Sequence, residues 1–181
     1  MRRFILLVIS VISSYYSNAQ KYYTRSGITE FKASEKAFEP VEAINKSATA
    51  IFDIKTGDVV AQVFIASFEF KNALMQEHFN ENYMESSRYP KGIFKGKIIN
   101  FSLDKIKTKS EFNLIGTITI REKEKKITTK VSINEEDKKL IIKSNFIVKP
   151  NDFNIKIPSI VQDKIAEQIQ IIIKYELVEK L

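Results

Sequence analysis

The 181-residue chain has no cysteine and a single histidine, and it holds only 5 glycines and 4 prolines. Without cysteine, neither a disulfide framework nor lipoprotein acylation is available, so packing alone must stabilise the fold. The same absence removes a thiol nucleophile, and no Gly-x-Ser-x-Gly elbow offers a serine instead. His78 therefore lacks the nucleophile that a catalytic base would serve. As a metal ligand it lacks partner histidines, and Glu77 and Glu81 beside it make only a weak, oxygen-rich site. No catalytic residue, metal ligand or cofactor is assigned.

Acidic residues are also missing from the first 19 positions. There Arg2 and Arg3 precede an apolar run from Phe4 to Ile9, extended by Val11 and Ile12, and Ser17-Asn18-Ala19 supplies a small-x-small cleavage pattern. The run is too short for a permanent span, which needs about 20 residues. The alternative is a retained N-terminal anchor. Residues 1–19 are expected to be a removable signal peptide and 20–181 the mature domain, periplasmic or secreted and without a stable membrane span after cleavage.

The remainder is long enough for one domain with its own core and too short for two comfortable ones. With 44% hydrophobic and 28% charged residues, it is far from the composition of disorder. The whole chain carries +7. Arg2 and Arg3 account for two of the 29 basic residues, which leaves the mature part 27 against 22 acidic, a net +5. That excess is spread thinly. The densest cluster, Arg121 to Lys126, alternates in sign between two apolar runs and reads as a solvated, mobile hairpin tip. No basic stripe is interleaved with aromatics, so no nucleic-acid partner is expected.

What the chain has in abundance is a period of two. Ala48, Ala50, Phe52 and Ile54 alternate with Thr49 and Asp53, Lys55-Thr56-Gly57-Asp58 supplies a turn, and Val59 to Ala66 runs back. Phe112 to Ile120 alternates, as do Ile127, Thr129, Val131 and Ile133. Leu140, Ile142, Ser144, Phe146 and Val148 follow, and the C-terminal run puts Ile169, Ile171, Ile173, Tyr175 and Leu177 on one face. With Tyr22 to Lys32 and Gly92 to Leu103, about eight strands stand at hairpin spacing. An all-β, antiparallel barrel or sandwich follows. Two segments break the rhythm. Residues 72–80 place Leu74, Met75, His78 and Phe79 on one helical face, and the stretch from Ile157 to Ile165 predicts a helical turn. Both are expected to plug a barrel end.

Phe68-Glu69-Phe70, then Met75 through Ser86 with its His78-Phe79, then Tyr89-Pro90-Lys91-Gly92-Ile93-Phe94-Lys95-Gly96 resemble the YceI-like family, which carries methionine, an acidic residue, His-Phe and Tyr-Pro-x-x-x-Phe in this order. Gly116-Thr117-Ile118-Thr119-Ile120 and Asp152-Phe153 continue the resemblance over most of the mature chain. At Arg121-Glu122-Lys123-Glu124-Lys125 the family's usual hairpin has lost its glycine and threonine. The resemblance implies an eight-stranded, antiparallel, lipocalin-like barrel and a long apolar ligand, a polyisoprenoid or fatty acyl chain, held inside.

An eight-stranded barrel is just wide enough to be filled by its own side chains or to hold one elongated molecule. The small residues Ala48, Ala50, Ala61, Ala66 and Gly116 argue for unfilled volume, since voids cost about 20 to 25 cal/mol per Å³. Alternation of small and large side chains relieving crowding is the other reading. The residues expected at the ligand are Ala50, Phe52, Ala61, Val63, Phe70, Leu74, His78, Phe79, Tyr83, Phe94 and Phe146, with the ring of His78 fixing the plug or meeting a head group. Three functions stay open: a lipid carrier or store, a structural or stress-related barrel with a packed core and a surface partner, and an enzyme acting on lipids. A homodimer is open too.

Overall fold

A computed structural model describes residues 20–34, 40–108, 110–161 and 165–180. The signal peptide expected over 1–19 lies outside the described residues. Nine strands form: β1 (Lys21–Ser34), β2 (Glu42–Asp53), β3 (Asp58–Phe64), β4 (Glu69–Phe70), β5 (Lys91–Ile98), β6 (Glu111–Ile120), β7 (Lys123–Glu136), β8 (Lys139–Val148) and β9 (Ile165–Glu179). Their order is β1-β9-β8-β7-β6-β5-β3-β2, and β1 pairs back onto β2, so eight antiparallel strands close a ring. Closure removes the unpaired edges that an open sheet would present. The ninth strand, β4, only adds the pairs Ala43↔Phe70 and Ile44↔Glu69 to β2.

The alternation read from the sequence holds on the ring. Ala48, Ala50, Phe52 and Ile54 are all buried, as are Leu140, Ile142 and Ser144. It does not propagate upstream of Ser47, because Asn45 is itself fully buried. Its Oδ1 accepts from the Ser47 N–H at 2.8 Å and its Nδ2 donates to the Phe64 carbonyl at 2.9 Å. These bonds hold an irregularity that lets β2 start at Glu42 with Lys46 and Ser47 both exposed. A phase shift of this kind is invisible to a strict period of two.

The β2–β3 turn uses its glycine as the sequence predicts. Gly57 sits at φ +79°, where a Cβ would come within 2.5 Å of the Ile98 carbonyl oxygen, and Asp53 Oδ1 accepts from the N–H groups of Lys55 and Thr56. The β6–β7 turn has no glycine, yet Arg121 and Glu122 both take positive φ, 47° and 60°. That arrangement is the two-residue hairpin geometry matched to strand twist.

Two ends can be told apart along β1, one near Tyr22 and the other near Phe31. At the first end Phe101 packs edge-on against Phe52 and tilted against Phe112, at 4.9 and 5.4 Å between centroids, and Leu103 and Ile106 of the short helix α2 (Leu103–Ile106) close the core below them. At the second end lie helix α1 (Ala73–His78), a π-helical turn Phe79–Tyr83, and 3₁₀ turns at Pro150–Phe153 and Ser159–Val161. Both expected plugs are there, although residues 162–164 of the second lie outside the described residues. Ala66 is exposed in a 3₁₀ turn, so it contributes nothing to the interior.

Candidate functional site

The barrel is packed at the α2 end and hollow at the α1 end. The hollow has a volume of about 390 Å³ and is lined almost wholly by apolar side chains from β1, β2, β3, β5 to β9 and the plug segments. Its size lies within the roughly 300 to 1,000 Å³ of small-molecule sites. So the two interiors weighed from the sequence, packed and open, both occur, one above the other.

Part of the wall is shaped by one large side chain resting on two small ones. Gly96 and Gly116 pair directly across β5 and β6, and the Phe94 ring lies over both: a Cβ on either would meet its Cζ at 2.6 or 2.5 Å. Gly116 therefore leaves no void, contrary to the expectation from its size. It seats Phe94. On the opposite wall Gly27 plays the same part for Tyr175, whose Cδ1 lies 2.5 Å from where a Cβ would stand. Tyr175 and Thr29 are both buried, and their hydroxyls are hydrogen-bonded at 2.9 Å. Burial pushes the Tyr175 phenol pKa up, and the hydrogen bond between it and Thr29 opposes that only in part.

The mouth is aromatic. Phe79 stacks on Phe31 at 5.3 Å and meets Phe70 and Phe68 at 5.1 and 5.8 Å. These offset and tilted contacts hold the plug over β1 and β4. Backbone bonds orient it further. Asn72 Oδ1 caps α1 by accepting from the Leu74 and Met75 N–H groups, and Gln76 Oε1 accepts from the Phe70 N–H. A second apolar cluster, Ile65, Met84, Phe153 and Ile155, closes the other side.

Of the residues expected at the ligand, Ala50, Ala61, Val63, Phe70, His78, Phe79, Tyr83, Phe94 and Phe146 all line the hollow. Two do not. Phe52 is fully buried, but at the packed end against Phe101, two residues beyond Ala50 along β2. Leu74 is 58% exposed on the outside of α1, since only Met75, His78 and Phe79 of that helical face turn inward. His78 stands exposed at the rim, and the plug is pinned by Asn72 and Gln76, not by its ring. Sequence reasoning missed Thr29, Phe68, Met84 and Phe153, and also Tyr175 as a site residue, although the alternation of β9 had placed it on the right face.

The β6–β7 hairpin also departs from expectation. The Arg121 side chain is only 16% exposed; its guanidinium donates to Glu85 and to the Asn154 carbonyl and lies 5.3 Å from the Tyr89 ring centroid. Lys125 pairs with Asp152 at 2.8 Å. Through Arg121 the turn of this hairpin is a clasp joining three mouth segments, and only its remaining charges are solvated. Among the described residues, no group of three His, Asp or Glu could hold a metal, and no helix is long and apolar enough to cross a membrane.

Several solved structures share this fold. A polyisoprenoid-binding domain from Saccharophagus degradans, implicated in plant cell wall breakdown, aligns at TM-score 0.74 with 8% identity over 90% of this chain and 100% of its own. BcnA from Burkholderia cenocepacia aligns at 0.69 with 18% identity, covering 83% of this chain and 96% of its own. The YceI protein of Campylobacter jejuni aligns at 0.63 with 19% identity, covering 81% and 89%. No curated protein matches the chain in sequence. The model of the YceI-like domain matches residues 18–177, nearly the whole chain, and the chain therefore belongs to the YceI-like family.

Proposed function

We propose that this is an exported lipid-binding protein that holds one polyisoprenoid or fatty-acyl chain in the upper half of the barrel, as a carrier or store, and catalyses no reaction. The observation that carries the reading is the hollow itself: about 390 Å³, walled by apolar side chains and capped by an aromatic plug. Water there would find few of the two to four polar partners that make a buried site favourable, whereas each methylene moved into it gains about 0.8 kcal/mol. The polyisoprenoid-binding domain of similar fold supports the same ligand class. Against catalysis speak the polar groups that line the space, which among the described residues are hydroxyls, one amide and a single imidazole at the rim, with no carboxylate among them. Export rests on the N-terminal pattern of Arg2, Arg3 and the apolar run before Ser17-Asn18-Ala19.

The chain has no tryptophan, so binding is read through an added probe. Delipidated protein titrated with a fluorescent polyene fatty acid should bind one equivalent, and a polyisoprenol should displace it. A probe that stays in water at every protein concentration would end the reading.

A further inference from the structure

In a largely apolar space, the Thr29 and Tyr175 hydroxyls form a pair at 2.9 Å, on residues only 6% and 5% exposed. Each hydroxyl carries one hydrogen, and the bond between them uses one of the two, whichever acts as donor. Among the described residues neither makes another hydrogen bond. One O–H is therefore left over, buried where the hollow meets the packed core that Tyr175 joins. A buried donor without an acceptor costs about 1 to 3 kcal/mol. The other two hydroxyls lining the space do not share this state: Thr129 already donates to the Asn145 carbonyl at 3.0 Å, and Tyr83 is only half-buried, in the plug.

We infer that the Thr29–Tyr175 pair is a ligand subsite that receives an uncharged hydrogen-bond acceptor, of the carbonyl or ether class, borne on the inner end of the apolar chain. The acceptor is uncharged because, among the described residues, no lysine or arginine lines the space, and a carboxylate buried there without a partner would be strongly disfavoured. A fatty acid would then seat with its carboxylate at the rim near His78, and a neutral ketone or ester would seat with its oxygen inward. The inference rests on the lipid-binding reading and adds a direction of insertion to it.

A long-chain methyl ketone and the alkane of equal length test it, each titrated against wild type, T29V, Y175F and the T29V/Y175F double variant. Each single variant keeps one hydroxyl, hence one free donor, and should retain the wild-type ratio of ketone to alkane affinity. The double variant should lower that ratio about fivefold, one ordinary hydrogen bond. Infrared spectra of the bound ketone in wild type give a readout that needs no variant: its carbonyl stretch should lie below the value in hydrocarbon solvent. An unlowered stretch, or an unchanged affinity ratio in the double variant, overturns the subsite while leaving lipid binding intact. If wild type takes up neither probe, the lipid-binding reading fails and the subsite with it.

Discussion

Replacing Ala61 by Phe separates an open barrel from a packed one. Ala61 lies at the middle of β3, paired with Ala50 on one side and Phe94 on the other, and all three face the hollow. In a full core the extra ring would force neighbours aside at about 1 to 3 kcal/mol. Here the ring enters open space but still crowds the neighbouring Phe94, while its burial contributes about 1.5 to 3 kcal/mol in a strand position that favours aromatics. The two effects offset, so the delipidated variant should unfold within about 1 kcal/mol of wild type, a midpoint shift of about 2 to 4 °C. The ring occupies room that a chain would use. Displacing roughly three to four methylenes at about 0.8 kcal/mol each weakens a long-chain ligand by about 100-fold. Calorimetric unfolding of the delipidated protein reads the first quantity and displacement of a fluorescent polyene the second. A variant that keeps wild-type affinity would refute the placement of the ligand, and one destabilised by several kcal/mol would refute the hollow.

Phe79→Asp should lower stability by about 2 to 4 kcal/mol, because it trades three aromatic contacts for a carboxylate against apolar neighbours; equal thermal midpoints would show that the plug is not packed. Arg121→Ala should cost about 1 to 3 kcal/mol by leaving Glu85 and the Asn154 carbonyl without their donor, while Lys123→Ala at the exposed tip should stay within about 0.5 kcal/mol, and equal urea midpoints for the two would dissolve the clasp. Tyr175 is neutral when buried and its folded pKa is raised, so the stability this provides is fully present below the unfolded value near 10 and is lost as pH rises through the folded one. Urea titrations across alkaline pH should show a decline that Tyr175→Phe removes in part, and identical profiles would place the phenol in solvent.

How far the sequence carried the account differs between walls and contents. Strand alternation marked Ala50, Ala61, Ile171 and Leu177 as inward because a barrel wall leaves each residue only two directions. The same rule could not separate the packed end from the hollow one: Phe52 and Ala50 share a face, and only three-dimensional packing against Phe101 sends one to the core and the other to the cavity. Gly116 read as missing volume because its occupant, Phe94, comes from the neighbouring strand. Leu74 misled because on a helix this short a shared face still spans enough arc to put one of its members in water. Arg121 sits in a run of alternating charges that looks solvated, and its partners Glu85 and Asn154 are 36 and 33 residues away. Pairing at that distance leaves no local pattern.

The claim on which the account turns is that the upper half of this barrel holds a lipid. Native mass spectrometry of the protein purified from its own source, followed by solvent extraction and analysis of the extract, tests it directly. The account predicts a mass above that of the polypeptide by one apolar molecule, lost on extraction, with a long-chain or isoprenoid compound recovered in equimolar amount. A polypeptide at its bare mass that also takes up no chain when incubated with a polyisoprenol or a fatty acid would contradict it.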